Sequence, residues 1–404
     1  MSHSYVYISD GKMFAHTDTG DRPIDSEVLE TYIRKVRDSA NRSEWKRSGS
    51  GAMFTGVYEP GADAQSRVAS IRSVVGCVGW QGEDLIYSID IDGTAGIYRK
   101  FKNGDTQDGI VISSSNAAYL DFDFLGQRLA VSAAFAGESH IGVLEAGKTV
   151  CDMYTDGQSW DSEPAWSRVD PNEIYFSSAG LAVQKASNES DVSPLGFPYG
   201  MHHAMPSTVT SLKGPSAICR MNIVKGTMDV ILENNESDFV HPQPTADGSL
   251  YYIKRPYRSQ NDTSSSGCLL DALLMPFRLL RALFGFFNLF SVKYSGKTLS
   301  RSGDVKQRDE GKMFIDGNMI QAEKELKENQ RRGEQYPGII PRTWELRRLG
   351  ADGTDTLIRR GVIAYRVMGN GDILISNGTC VLCRDADGSE HKISSAQRVT
   401  FLNC

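Results

Sequence analysis

Short apolar strands framed by tight turns recur along the chain. GWQGEDLIYSIDIDG, DFLGQRLAVSA, SRVDPNEIYFSSAG, TADGSLYYIKR and GNGDILISNG each open on a turn and run into about four apolar or aromatic residues, the mark of a strand bounded by turn residues. Aligning them sets Leu85, Leu129, Ile174, Leu250 and Ile373 in equivalent places. The first three of these are 44 and 45 residues apart. The next steps, 76 and 123 residues, exceed a 45-residue period by 31 and 78. Those surpluses coincide with two stretches unlike the repeat, 184–214 and 259–340. Without them the chain is a regular array of self-similar units.

A period of about 45 residues is what four short antiparallel strands and their turns consume, which is one blade of a β-propeller. AGIYRKF (95–101), HIGVLE (140–145), AICRMNI (217–223) and TWELRRL (343–349) supply the third strand of each unit. The apolar strand after each turn is expected to lie close to the axis of the ring. YVYISDGKMFAHT (5–17) predicts a hairpin about Asp10-Gly11, a tight-turn dipeptide; GAMFTGVY (51–58) and RVTFL (398–402) predict further strands. Pairing the two ends would remove the open edges of the array. The expected fold is all-β, a six-bladed β-propeller with helical insertions, its sixth blade assembled from the two ends and a seventh left open.

The motif resembles a known family. WDSEPAWSRVDPNEIYFSS (160–178) is similar to the TolB-like propeller repeat, in which a polar lead, a Pro, a small residue and Trp-Ser or Phe-Ser precede Pro-Asp-Gly and a strand ending in Ser. FVHPQPTADGSLYYIKR (239–255) carries Thr-Ala-Asp-Gly at that turn, and AYLDFDFLGQRLAVSA (118–133) is a weaker copy that lacks the Pro. The resemblance covers about two thirds of the chain. It implies a fold and hardly an activity, because propellers host many functions.

The stretches outside the repeat read differently. Residues 25–47 place Val28, Tyr32 and Val36 on one stripe with Leu29 and Ile33 beside it, behind an Asp/Ser cap, and predict an amphipathic helix. It either packs on the side of the ring or docks a partner. The insertion at 184–214 mixes Pro, Gly and Ser with aromatics and reads as a long loop; its His202 and His203 have no third ligand at a metal spacing. Residues 316–335 predict a charged, solvated helix anchored by Ile320 and Leu326.

The greasiest stretch of the chain lies in the second insertion. As a helix over 268–292 it gathers Arg278, Arg281, Gly285 and Asn288 into one arc of about 100°. Phe277, Leu280, Leu283, Phe284, Phe286, Phe287 and Phe290 crowd the remaining face. Each arginine would cost roughly 2.5–3.5 kcal/mol at the centre of a bilayer, and 11 residues separate Arg281 from Lys293 where about 20 are needed to span. A helix lying in a membrane interface fits better. A groove of a partner, another copy of the chain or the propeller itself are the other surfaces that could cover it.

Charge and composition narrow the classes. Among 404 residues the formal net charge is −6, and no basic patch contradicts it, so nucleic acid is not an expected partner. The expected partners are a protein, a second copy of the chain, or a membrane surface. The N-terminus carries no charged start followed by an apolar run of secretory length, and seven scattered cysteines do not read as a disulfide framework. The expected location is cytoplasmic, peripheral to the inner face of the membrane. Cys380 and Cys383 form a lone CxxC whose strand-like setting points to structural thiols.

No GxSxG, HExxH, Walker loop or dinucleotide fingerprint occurs, so no catalytic set, cofactor or metal site is expected. Asp90-Ile91-Asp92-Gly93 matches only part of a calcium loop and reads as a β-turn. Asp121, Asp123, Asp161, Glu163 and His241 occupy strand-entry positions that can face an axial channel. They mark the alternatives to a protein-interaction scaffold: a metal-assisted hydrolase or lyase, or a small-ligand sensor.

Overall fold

In the computed structural model, residues 4–43, 64–102, 108–135, 137–184, 210–258, 312–315 and 318–404 are described. The chain opens with β1 (Tyr5–Ser9), β2 (Lys12–Thr17) and β3 (Gly20–Ile24). The β1–β2 turn is Asp10-Gly11, both at positive φ (48° and 73°), the left-handed geometry that matches strand twist and that glycine adopts without steric cost. Helices α1 (Glu27–Ser43) and α2 (Ala64–Ala69) follow. The hydroxyl of Ser26 caps α1 by accepting the Leu29 amide at 3.2 Å. Val28, Leu29 and Tyr32 pack against the sheet core below the helix.

The next strands form four-stranded antiparallel sets. One set is β4 (Ser73–Gln81), β5 (Asp84–Ile91), β6 (Thr94–Lys100) and β7 (Gly109–Ser114). Another is β8 (Ala118–Leu125), β9 (Arg128–Ala134), β10 (Ser139–Leu144) and the short β11 (Asp152–Met153). Then come β12 (Ser159–Trp166) and β13 (Glu173–Gln184), whose far end pairs with β14 (Thr210–Lys213), followed by β15 (Ala217–Asn222) and β16 (Thr227–Leu232). Strands β17 (Ser237–Pro244) and β18 (Leu250–Pro256) precede the second insertion, which returns through β19 (Lys312–Ile315), β20 (Asn318–Gln321) and α3 (Ala322–Arg331). Strands β21 (Glu345–Leu349) and β22 (Asp355–Arg360) complete that set. The last full set is β23 (Ala364–Val367), β24 (Ile373–Ser376), β25 (Val381–Arg384) and β26 (Glu390–Ser394). Finally β27 (Val399–Asn403) pairs antiparallel with β1, so the sheet β27-β1-β2-β3 joins the two ends of the chain.

Residue alternation explains how the sets assemble. In β1, Tyr5 and Tyr7 enter the core shared with β23–β25, whereas Val6 and Ile8 enter the core shared with β4–β6. In β5, Ile86 faces β8 and β9 while Leu85, Tyr87 and Ile89 face β1. In β24, Leu374 meets β27 and Ile373 and Ile375 meet β17 and β18. Each sheet is therefore buried on both faces, and its second strand reads as a continuous apolar run. The first strands pack in succession, β4 on β8, β8 on β12, β12 on β17, β17 on β23, β23 on β27 and β27 on β4. These contacts are side-chain packing between separate sheets; a parallel bridge, Ser139 opposite Trp160, is the hydrogen-bonded link between β10 and β12.

Several expectations change. Leu85, Leu129, Ile174, Leu250 and Ile373 are all buried at the start of the second strand of their sets. That strand is one step removed from the inner face, because the strand before each turn takes the innermost place. The stretch 316–335 is not one helix: Asn318–Gln321 pairs with Lys312–Ile315, and Ile320 enters the core beside Ile340 and Trp344. Helix α3 begins at Ala322, and its Asn329 is buried, donating to the Gly338 carbonyl at 2.9 Å. The first insertion starts as a ribbon, since Leu181–Gln184 pairs with Thr210–Lys213. The strand expected at 51–58, the remainder of the 184–214 loop with His202 and His203, and the apolar helix of 268–292 lie outside the described residues. Among the described residues no helix is long and apolar enough to cross a membrane.

Strand direction places the additions on one side. The connections into the first strands and the turns between second and third strands share an end of the sheets. Helices α1 and α2, the insertion after β13 and the insertion after β18 all emerge there. At that end the Tyr257 hydroxyl donates to the Lys213 carbonyl at 2.8 Å, tying the stems of the two insertions together. The Tyr32 hydroxyl of α1 donates to Asp92 at 3.0 Å in the β5–β6 turn.

The β27–β1 contact should carry a core-sized share of stability. Leu402 is 4% exposed and lies opposite Tyr7. Leu402→Ala is expected to cost about 2–5 kcal/mol, measured by denaturant unfolding. A change within about 0.5 kcal/mol, as at a surface position, would contradict this placement.

Candidate functional site

The innermost strands are bulged. Register slips fall between Val75 and Val78 in β4, Tyr119 and Asp121 in β8, Ser162 and Ala165 in β12, and Val240 and Gln243 in β17. A bulge turns a side chain out of the pleat alternation. Counting back from the paired strand ends puts Cys77, Asp121, Glu163 and His241 at equivalent positions on four successive sheets. Glu163 and His241 both have positive φ (58° and 55°) and both precede a proline. Such backbone costs of order 1–3 kcal/mol unless its surroundings hold it, and here they do.

Glu163 is the hub. Its Oε2 accepts the Ser177 hydroxyl at 2.5 Å and the His241 amide at 2.6 Å. Its Oε1 lies 3.3 Å from His241 Nδ1. The His241 carbonyl in turn accepts the Tyr365 hydroxyl at 2.5 Å. The connected chain Ser177, Glu163, His241, Tyr365 thus crosses three sheets. Tyr365 sits deep enough that burial, reinforced by the Glu163 charge, holds its phenol well above the ordinary range.

Asp121 completes the group from the preceding sheet. It keeps part of its surface accessible but is embedded in protein. Burial pushes its carboxyl well above the usual range, the charges of Glu163 and then Asp123 push the same way, and the Phe122 amide and Arg366 oppose them. The Phe122 amide donates to Asp121 Oδ1 at 2.7 Å. Behind Asp121, the Cys77 thiol is also held well above its ordinary value, by burial and then by Asp121. The arrangement is a carboxyl biased toward its protonated form beside a carboxylate and imidazole locked to one another, with Arg366 as a nearby cation. Chemically such a group can donate a proton or hydrogen bond and accept one.

The five candidates from the sequence thus separate. Asp121, Glu163 and His241 come together. Asp123 is buried and acts as a strand tie, accepting the Trp166 amide at 2.8 Å and the Arg168 guanidinium at 3.0 and 3.1 Å. Gln243 makes the corresponding tie two sheet pairs on, exchanging hydrogen bonds with the Val367 amide and carbonyl at 2.8 Å. Asp161 is fully buried: Ser159 donates to it at 3.0 Å and Ser178 at 2.5 Å. His140 Nδ1 lies 3.9 Å from Asp161, and its Nε2 lies 3.5 Å from Glu138. Burial opposes charging His140, yet Asp161 and Glu138 outweigh it and raise its pKa. Asp161 is therefore enclosed between strands and does not open to the axis.

Tyr365 and Arg366 are contributors the sequence did not reveal, because the fifth repeat lacks the Pro that marks a bulge in its two predecessors. The Asp90 to Gly93 segment is a turn, with Asp90 Oδ1 accepting the Gly93 amide at 2.8 Å. Among the described residues, the three metal-ligating side chains whose donor atoms lie within 4.8 Å of one another are Cys383, Asp385 and His391. Cys383 is on β25, Asp385 follows that strand in the turn and His391 is on β26, a different sheet edge from this group.

No family model matches the sequence, and no curated protein matches it. Among solved structures, TolB from Acinetobacter baumannii is similar over 99% of this chain and 65% of its own, with a TM-score of 0.46 and 8% identity. This chain spans less than two thirds of that protein's length. A structure described as putative TolB from Agrobacterium tumefaciens is similar over 81% of this chain and 85% of its own, at a TM-score of 0.38 and 13% identity. The tricorn protease is similar over 98% of this chain and 34% of its own, at a TM-score of 0.44 and 10% identity. The chain resembles TolB and TolB-like β-propellers.

The raised Asp121 carboxyl has a measurable consequence. A group whose folded pKa lies above its unfolded value contributes stability below the unfolded value and loses it as pH rises through the folded one. At neutral pH ionising buried Asp121 is therefore a cost. Asp121→Asn is expected to raise the thermal midpoint at neutral pH, with the gain shrinking as pH falls toward the ordinary carboxylate value of 3.8. Thermal melts of both proteins across this range check it; an unchanged or lowered midpoint at neutral pH would count against it.

Proposed function

We propose that the chain is a six-bladed β-propeller serving as a non-enzymatic scaffold for protein–protein interaction. The observation that carries this reading is the grouping of every insertion at one end of a set of sheets whose other surfaces are buried against each other. Six sheet pairs supply six cores, from Tyr5 and Leu402 round to Val6 and Val78. Long loops on a rigid ring are where binding residues concentrate. In this proposal the segment 268–292 presents Phe277, Phe284, Phe286, Phe287 and Phe290 to a protein partner, to a second copy of the chain or to anionic membrane at the inner face. Its place is cytoplasmic, in keeping with the buried free thiols of Cys77 and Cys380.

A second reading rests on a specific observation, the carboxyl of Asp121 held toward its protonated form beside Glu163 and His241. In that reading the axial group binds a small polar ligand or performs metal-assisted hydrolysis or elimination. The two readings separate by mutation. A scaffold retains its partners in Asp121→Asn and Glu163→Gln.

Deleting residues 260–310, which leaves β19, β20 and α3 intact, is expected to abolish capture of the bound partner without lowering the thermal midpoint. Flotation with anionic vesicles tests the membrane arm: Phe286→Asp with Phe287→Asp is expected to release the protein. Retention of the same partners by the deleted chain, together with no flotation of the intact one, would overturn the proposal.

A further inference from the structure

The hairpin of β25 and β26 builds a small donor cluster at the outer edge of its sheet. Its register places Cys383 directly opposite His391, and directly opposed residues have Cβ atoms about 4.5–5.5 Å apart on the same face. Asp385, two residues beyond Cys383, continues that face. The Cys383 Sγ lies 3.7 Å from Asp385 Oδ1, and His391 Nδ1 lies 3.4 Å from Asp385 Oδ2. All three donor atoms fall within 4.8 Å of one another.

These separations match what one small ion requires. Tetrahedral zinc holds sulfur at about 2.3 Å and nitrogen or oxygen at about 2.0–2.2 Å, which sets neighbouring donors roughly 3.5 Å apart. The thiol and imidazole have only to draw in slightly. The Ser389 hydroxyl donates to Asp385 Oδ2 at 2.9 Å, and the turn is closed by the Asp385 amide on the Ser389 carbonyl at 2.9 Å. The carboxylate is thus oriented by a hydrogen bond from outside the donor set, as metal ligands commonly are. Cys383 is fully buried whereas the His391 side chain is about half exposed (48%), so the cluster runs from core to solvent and offers an entry path. Asp372, whose Oδ1 accepts the Ala386 amide at 3.0 Å, adds a second negative charge nearby.

We propose that Cys383, Asp385 and His391 form a binding site for Zn2+ or a similar borderline-soft divalent ion, with its fourth position open to water. The thiolate and imidazole donors set it apart from calcium and magnesium sites, which are built from oxygen. The bound ion pins β26, the outer strand, to β25 and acts as a clasp on the sheet next to the joined chain ends.

Titrating the full-length reduced protein with Co2+ reads the site directly. The expected result is one equivalent bound with a thiolate-to-cobalt charge-transfer band, displaced by Zn2+. The band disappears in Cys383→Ser, and affinity falls by at least about tenfold in His391→Gln and Asp385→Asn. These last two alter accessible side chains and keep the test readable if the buried substitution impairs folding. Zn2+ should also raise the thermal midpoint of the parent chain and not of His391→Gln. Absence of stoichiometric binding, or a band that forms with unchanged affinity in both His391→Gln and Asp385→Asn and so comes from another cysteine, would overturn the assignment.

Discussion

Pairing between the last strand and the first is the constraint on which the remaining architecture depends. Val6 lies opposite Asn403, Tyr7 opposite Leu402 and Ile8 opposite Phe401. Without β27 the sheet of β1, β2 and β3 has no inner strand. Two cores then lose a wall together, the one that Tyr5 and Tyr7 share with Leu374 and Val381 and the one that Val6 and Ile8 share with Val78 and Tyr87. Every other sheet is buried on both faces only because its neighbours are in place, so an opening at this joint exposes apolar surface at each side of the gap. The contact spans nearly the whole chain. Its loop-closure entropy is recovered only when the intervening sheets are already packed.

A second constraint acts where the first strands of the sheets meet. The first strands pack on one another, and a register slip falls just before Asp121 and at Glu163 and His241. The strained φ of Glu163 and His241 is held by the hydrogen bonds these residues make to each other, to Ser177 and to Tyr365. Backbone strain and side-chain network are one feature here: removing the acceptor at Glu163 would leave a buried amide and a hydroxyl unpaired. Asp123 and Gln243, one pleat period away, serve a different end by tying each first strand to the backbone of the next.

The sheets are also asymmetric along their length. Turns at one end are short, while helices α1 and α2 and both insertions crowd the other. The second insertion comes back through α3 and Asn329 to the turn at Asn377, where the Asn377 amide donates to the Tyr336 carbonyl and the Thr379 hydroxyl to that of Pro337. Ile320, Ile340 and Trp344 then extend a core between sheets. An end carrying long additions beside sheets buried on both faces is the surface most able to vary without cost to the core.

The repeat was legible in the chain itself, because a turn followed by a strand buried on both faces leaves a mostly apolar run, as in LIYSIDI and ILIS. So were the two insertions, which disturb the spacing without disturbing the units. The order of strands across each sheet was not legible: the apolar run is the same whether a strand is first or second from the axis, and only neighbouring sheets decide. Nor was the division of Asp121 from Asp123, or of Glu163 from Asp161. These pairs stand two residues apart, and alternation assigns both members to one face. The register slip at Glu163-Pro164 breaks that alternation, whereas Asp121 and Asp123 stay in register and differ in which neighbouring strand each meets; both are settled by the packing of first strands on one another. The same holds for Cys383 and His391, eight residues apart along the chain and brought face to face by the turn at Asp387-Gly388. Composition and spacing determined that this chain folds into repeated β units with added segments; contacts between sheets decided which polar residues meet, because those contacts alone set register and depth.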